Sequence, residues 1–240
     1  MYPNKIRVND TEYPLTVIRE ERDRAVVSLG RRGVSIRIPL DLPREEQFRK
    51  IRKMLKWAQK KLQERPIITK GSKEYQDNQI VKVGEWEYLL RLSYANKESS
   101  SAKIKDNIIS CTISVSLPRP IQNKHISVLL SRVIARQHIM TVTQRIQQLN
   151  QQHFNFSLKK VFLKYNMSNW GSCSVKNNLN VSTRVLFAPL EVRDYLYLHE
   201  LAHLQEHNHS PAFWHLVERA MPDYKEKEQW LKKHSDECWF

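Results

Sequence analysis

Residues 195–211 read Tyr195-Leu196-Tyr197-Leu198-His199-Glu200-Leu201-Ala202-His203-Leu204-Gln205-Glu206-His207-Asn208-His209-Ser210-Pro211. Seven of the ten residues from Tyr195 to Leu204 are apolar or aromatic, so a helix here, expected over 189–207, has most of its circumference buried. Three polar groups inside such a helix need partners, because burying one without a hydrogen bond costs about 1–3 kcal/mol. His199 and His203 are four residues apart and project from one helical face, about 6 Å apart along the axis. Two imidazoles at that spacing can converge on one zinc ion, with Glu200 placed to hydrogen-bond a water: the His-Glu-x-x-His pattern of zinc hydrolases. With nine histidines in 240 residues, chance alone supplies about 0.02 such matches.

Zinc needs a third protein ligand, and Glu206, His207, His209 and His215 lie close by in the chain. His207 continues the helical stripe but is about 12 Å from His199 along a straight axis, too far for both to meet one ion at about 2.1 Å. Asn208 suits a left-handed helix C-terminus, and Ser210-Pro211 suits a cap and first residue of a new helix. A sharp turn at Asn208–His209 therefore swings His209 back toward the pair, and His209 is the expected third ligand. His207 is the next candidate, and His215 reads as an ordinary helix residue. The spacing His199 to His209 matches the third-ligand spacing of metzincins, but Glu206 stands where those proteins have glycine and no Met-turn is evident.

Further segments sharpen the reading. Trp170-Gly171-Ser172-Cys173-Ser174, Asn178-Leu179-Asn180, Pro189 and Asp194-Tyr195 precede or enter the helix. Asn208-His209-Ser210-Pro211-x-Phe213-Trp214 and Met221-Pro222-Asp223-Tyr224-Lys225 follow it. Together with His199-Glu200-Leu201-Ala202-His203-Leu204, and in this order over about residues 165–233, they resemble the YgjP-like metallopeptidase family. The resemblance implies a zincin-like hydrolase related to SprT-type proteases, which act on DNA-associated proteins. It implies zinc held by His199, His203 and His209, with Glu200 as the catalytic base. Asn169 departs from the family pattern, which has Arg before the Trp-Gly-Ser-Cys run, so an anion contact from that Arg is not expected here. Cys173 reads as a small buried residue in a turn–strand element beside the site, with Gly171 permitting the turn. Trp170, Phe213 and Trp214 read as packing around the helices, with substrate stacking an alternative for Trp170. Arg184, Asn180 and His138 are possible substrate contacts that nothing in the sequence assigns.

The rest of the chain implies an α+β fold. Short alternating runs at Tyr13–Ile18, Ala25–Leu29 and Val34–Ile38 predict a small set of antiparallel strands. Leu42, Phe48, Ile51, Leu55, Ala58 and Leu62 then recur at helical spacing, ending before Pro66, with Arg49, Lys50, Arg52, Lys53, Lys56, Lys60 and Lys61 on the other face. Strands are expected at Gln79–Val83, Trp86–Tyr94 and Ile108–Leu117, with a flexible hairpin tip at 96–101. Pro118-Arg119-Pro120 is a hard stop. The expected division is a β-rich N-terminal region, 1–118, and a zincin-like metallohydrolase domain, 119–240. In the latter a helix over 124–150 precedes strands at Lys160–Tyr165 and Leu179–Phe187 and helices at Pro211–Ala220 and Asp223–Lys233. No internal repeat is evident.

The chain carries 40 Lys+Arg against 25 Asp+Glu, a net charge of +15, and that charge is uneven. Residues 107–190 hold 10 basic side chains and no acidic one, whereas residues 191–240 hold 6 basic and 10 acidic. A basic stretch of this kind either faces water or attracts an anionic partner such as nucleic acid. No run of 18 apolar residues exists, which excludes a spanning helix, and the N-terminus has no apolar signal stretch. Three widely spaced cysteines give no disulfide framework and point to a reducing compartment, the cytoplasm. The expected function is a zinc-dependent metallopeptidase acting on a peptide or protein substrate. Two alternatives remain: a metal-dependent hydrolase of nucleotides or other phosphoanhydrides, drawn by the basic stretch, and a nucleic-acid- or protein-binding module with a structural zinc closed by Glu206 or His207.

Overall fold

A computed structural model describes residues 4–9, 11–30, 33–64, 73–117 and 119–240. The chain breakers Pro66 and Pro118, and the first three residues of the N-terminal stretch, lie outside them. The described residues make a mixed α+β structure with three small sheets and five α-helices. Two compact units divide at residue 71.

The first unit contains strands β1 (Lys5–Val8), β2 (Thr11–Glu20), β3 (Val26–Gly30) and β4 (Gly33–Pro39) and helix α1 (Arg44–Glu64). The sheet order is β1-β2-β4-β3. The expected all-antiparallel set is mixed: β2 and β4 run parallel, with Leu15 opposite Val34, while the other pairs are antiparallel. The chain leaves β2 for the far edge, and the β3–β4 hairpin then returns β4 into the gap beside β2. Alternation along β2 and β4 points Tyr13, Leu15, Val34, Ile36 and Ile38 inward, where Ile51, Ala58 and Leu62 of α1 cover them. Gly33 is obligatory: its φ is +97°, and a Cβ there would lie 2.1 Å from the Pro14 carbonyl oxygen.

The second unit begins with β5 (Ile80–Val83), β6 (Trp86–Ala95), β7 (Ser101–Lys105) and β8 (Ile108–Ser114), followed by α2 (Arg119–His153). A third sheet, ordered β10-β11-β9, comprises β9 (Lys160–Lys164), β10 (Gly171–Cys173) and β11 (Asn178–Ser182). A 3-10 turn at Thr183–Phe187, capped by Ser182, replaces the expected continuation of β11. Helices α3 (Leu190–Ala202), α4 (Pro211–Ala220) and α5 (Tyr224–His234) complete it. The unit boundary differs from the expected one at residue 118 because β5–β8 bury Val83, Leu90, Ile109 and Ile113 in the same core as Ile126, Leu130 and Ile134 of α2. Leu196, Leu201 and Phe213 belong to that core as well.

Contrary to expectation, the chain contains an internal repeat. The second sheet is ordered β5-β6-β8-β7, with β6 parallel to β8 and the outer pairs antiparallel, as in the first sheet. Strand lengths are 4, 10, 5 and 7 residues in both. Each strand, and the helix after them, starts 75 residues beyond its counterpart, from Lys5 and Ile80 to Arg44 and Arg119. Among the described residues no helix is long and apolar enough to cross a membrane.

Candidate metal centre

Helix α3 is buried on nearly every side, from Val192 to Ala202, with His199 half-buried. Two polar clamps fix its position. Arg145 of α2 grips Asp194 with two parallel hydrogen bonds, Nε to Oδ1 at 2.9 Å and Nη2 to Oδ2 at 2.5 Å. Arg193 lays its guanidinium over the Trp86 ring at 4.9 Å and donates to Glu85 at 2.6 Å. A bidentate pair and a stacked guanidinium both fix direction as well as distance.

The helix ends at Ala202 instead of running to residue 207. The amides of Leu204, Gln205 and Glu206 still bond back to Leu201 and Ala202, and the chain then reverses. Ser210 caps α4 by accepting from the Phe213 amide, and Pro211 opens that helix. The reversal returns His209 to His199: their Nε2 atoms lie 3.1 Å apart. One nitrogen from each of His199, His203 and His209 lies within 4.8 Å of the others, and among the described residues no other His, Cys, Asp or Glu cluster of this kind occurs. Glu206, His207 and His215 are not in it. Neither is Cys173, a half-buried thiol in β10 that burial pushes up to about 11.

The donor set fits a metal ion. Two nitrogens at about 2.05 Å from a tetrahedral ion are about 3.3 Å apart, close to the 3.1 Å found. His203 directs Nδ1 at the Glu206 carbonyl at 2.9 Å; donation there leaves its Nε2 lone pair for a ligand role. Burial, followed by the neighbouring His203 and His209, pushes His199 down to about 3, and burial also lowers His203. Both rings are thus neutral at pH 7, the form that binds metals. Aromatic rings wall the cluster. Phe213 stacks on His203 at 4.5 Å and meets His199 edge-on at 4.9 Å, while Trp214 lies 5.7 Å from His209.

Glu200 is 4% exposed, one of its carboxylate oxygens has no hydrogen-bond partner, and burial pushes it up to about 8. A cation in the histidine cluster would draw that value down again. Gly171 of β10 faces it. The glycine is not needed for a turn, as expected, but for close approach: a Cβ there would lie 2.5 Å from Glu200 Oε1.

The unassigned candidates separate clearly. Arg184 is a buried structural tie, donating to the carbonyls of Met167, Ser235 and Cys238 and lying 4.3 Å over Trp170. His138 bonds the Tyr88 hydroxyl at 2.6 Å and packs on Trp86. Asn180 lines a groove of about 240 Å³ with Ser172 and Tyr165. Asn169 bonds Asn166 and the Gly171 carbonyl, which holds the loop leading into β10. Sequence reasoning passed over Arg145 and Arg193, since nothing local marks a cation that acts across 49 or 108 residues.

Comparison with known proteins agrees with the motif reading. The family model described as the YgjP-like metallopeptidase domain matches residues 23–234. Among solved structures, the metallopeptidase zymogen abylysin of Pyrococcus abyssi matches at 26% identity and TM-score 0.35, over 38% of this chain and 93% of that one. The metallopeptidase zymogen jannalysin of Methanocaldococcus jannaschii matches at 20% identity and TM-score 0.34, over 38% and 94%. No curated protein matches.

Proposed function

The chain belongs to the YgjP-like metallopeptidase family, and from that premise we propose that it is a zinc-dependent peptidase of zincin-like architecture. His199, His203 and His209 hold the ion and Glu200 is the general base. One observation carries the proposal: three imidazole nitrogens within 4.8 Å of one another beside a buried, partnerless carboxylate oxygen. Three imidazoles are a zinc donor set that leaves a fourth position open. When bound, the ion supplies Lewis-acid polarisation and lowers the pKa of water from 15.7 to about 7.

The chain's own groups supply the rest. His203, oriented by the Glu206 carbonyl, and His199, wedged between Phe213 and Tyr195, keep their lone pairs fixed on one point. Glu200 takes the proton of the attacking water and delivers it to the leaving amine. Low polarity around Glu200 raises its basicity, which suits it to accept a proton near neutral pH. The Arg145–Asp194 and Arg193–Glu85 clamps act as positioning groups, tying α3 to α2 and to the β5–β6 turn so that Glu200 does not drift.

A phosphoanhydride hydrolase is the second reading. It draws on Arg132, Arg136 and Lys164, which line a groove of about 580 Å³ between α2 and β9. A binding module with a structural zinc has less support, because among the described residues no fourth ligand joins the histidines. The thiols of Cys111 and Cys173 are free, which fits the cytoplasm.

The test is metal content by mass spectrometry, with hydrolysis of a casein-derived peptide library and of nucleoside triphosphates. One zinc per chain, peptide cleavage by wild type, and a zinc-loaded but inactive Glu200→Gln protein are expected. Cleavage of triphosphates alone transfers the mechanism to phosphorus. Full activity in Glu200→Gln removes Glu200 from the base role.

A further inference from the structure

The internal repeat gives the first unit a comparison within its own chain. Residues 5–64 align with 80–139 without a gap, and 12 of the 60 positions are identical. Half of them, Val8, Tyr13, Leu15, Ile38, Gln47 and Ile51 in the first copy, are buried. Tyr13 and Tyr88 are each 2% exposed on the second strand. Asn9 and Gly84 both take positive φ in the first hairpin, at 53° and 59°. Gln47 donates to the Leu42 carbonyl at 2.6 Å, as Gln122 donates to Leu117 at 2.8 Å. Ile51 and Ile126 are the first buried apolar side chains described in the two helices.

Against that shared frame one face differs. At 100° per residue, positions 49, 53, 56 and 60 of α1 fall within an arc of about 60° opposite the buried Ile51 and Ala58. Their counterparts on α2 are Lys124, Val128, Ser131 and Ala135. Val128, Ser131 and Ala135 turn toward β9, lining one groove with Val161 and Leu163, so in the second copy this face joins the elements that complete the metal-bearing half. In the first copy it is Arg49, Lys53, Lys56 and Lys60, all exposed. Arg49 lies 3.9 Å from Glu46 and Lys60 acts on Glu64 through space, but none of the three lysines forms a direct ion pair among the described residues. Trp57, 44% exposed, stands one turn beyond Lys53.

We infer that the first unit is a duplicated scaffold whose helix face, no longer needed to build the metal half, binds the phosphate backbone of single-stranded nucleic acid. The cation row is about 16 Å long, enough to meet several successive phosphates of one strand. A ring beside a cationic row is the pairing on which single strands dock, phosphates on the charges and a base on the aromatic face. A lipid surface fits less well. An interfacial helix needs its apolar face free, and Ile51, Ala58 and Leu62 of α1 are used in their own core.

The experiment uses the full chain, a labelled oligothymidylate, fluorescence anisotropy and a salt series. Wild type binds with an affinity that falls steeply with salt. K53E/K56E/K60E raises Kd at least about tenfold and lowers the log–log salt slope by about 2, from about 0.7 per lost phosphate contact. The neutral K53Q/K56Q/K60Q protein shows the same slope change without charge repulsion, and W57A weakens binding without changing the slope. R132E/R136E, in the groove of the second unit, stays within about twofold of wild type. The inference is overturned by wild-type affinity in the glutamine triple, by loss of binding in R132E/R136E instead, or by a wild-type protein that binds phosphatidylserine vesicles and not the oligonucleotide. Zinc content is read on every variant, so a failed metal site is distinguished from a failed nucleic-acid surface.

Discussion

Gly171→Ala is the smallest change that separates the base from the metal. The added methyl would lie 2.5 Å from Glu200 Oε1, 2.6 Å from Cδ and 2.7 Å from Cγ. Carbon contacts settle near 3.5 Å, so the carboxyl and β10 must part by about 1 Å. Glu200 is 4% exposed and has no solvent to swing into, so the strain is shared between its side chain and the strand. Overpacking of this kind costs about 1–3 kcal/mol of stability. A reacting group displaced by about 1 Å costs about 10²-fold in rate, or about 2.7 kcal/mol in the barrier. The three atoms nearest the methyl all belong to Glu200, so the strain falls on the base and zinc is expected to stay at one per chain. The assay is kcat on the cleaved peptide, with zinc content and urea unfolding measured on the same preparation. Wild-type kcat in Gly171→Ala refutes the placement of Glu200 against β10. A fall in kcat that tracks loss of zinc refutes the separation of base from ligands.

Three further outcomes follow from the same geometry. Arg145→Met leaves Asp194, only 9% exposed, without its cation; breaking a buried pair costs 3–5 kcal/mol, and the one-third exposure of Arg145 reduces this to about 2. Urea unfolding checks it, and a loss under about 0.5 kcal/mol counts against the clamp. Cys173, with its thiol at about 11, is almost wholly protonated at pH 8, so iodoacetamide labels it roughly 100-fold more slowly in folded than in unfolded protein; equal rates contradict the burial. Burial, with Arg193 nearby and opposed by Glu85, holds His138 below the ordinary histidine value of 6.5. The folded state then binds fewer protons than the unfolded one, so stability is present above pH 6.5 and is lost as pH falls below it. His138→Gln flattens that part of the stability–pH curve, and an unchanged curve sinks the assignment.

The metal cluster was legible because its ligands are close in sequence. A four-residue spacing places two rings on one face, and Asn208 with Ser210-Pro211 announces the reversal that returns His209. The helix end was not legible, since Leu204, Gln205 and Glu206 all tolerate helix, yet their amides bond back to Leu201 and Ala202 in a tightened final turn. Strand β7 carries no strand signal after the expected hairpin tip at 96–101, because Ser101–Lys105 is an edge strand with only Ala102 and Ile104 partly covered. An apolar run at Thr183–Phe187 suggested strand, but Ser182 caps a 3-10 turn through the Arg184 amide. The repeat hid because its shared positions are turn and core residues scattered through 60, each ordinary alone. Gly171 carried a glycine signal whose cause, a carboxylate from another element, is visible only in three dimensions.

The two copies also show why one of them carries the metal helix. They correspond as far as Glu64, the last described residue of α1, and Ile139. Helix α2 continues to His153, and the added stretch places Val142, Ile146 and Leu149 in the core. It also supplies Arg145, the residue that grips Asp194 on α3. Without that extension an α3-like helix would keep its histidine spacing but lose a bidentate anchor that fixes its rotation. A helix turned by 20° at a radius of about 6 Å moves a side chain by about 2 Å, enough to pull an imidazole out of a shell that tolerates about 0.2 Å. The requirement for three converging nitrogens is therefore met by the length of a neighbouring helix as much as by His-Glu-x-x-His itself. The first copy places cations where its sibling places Val128, Ser131 and Ala135.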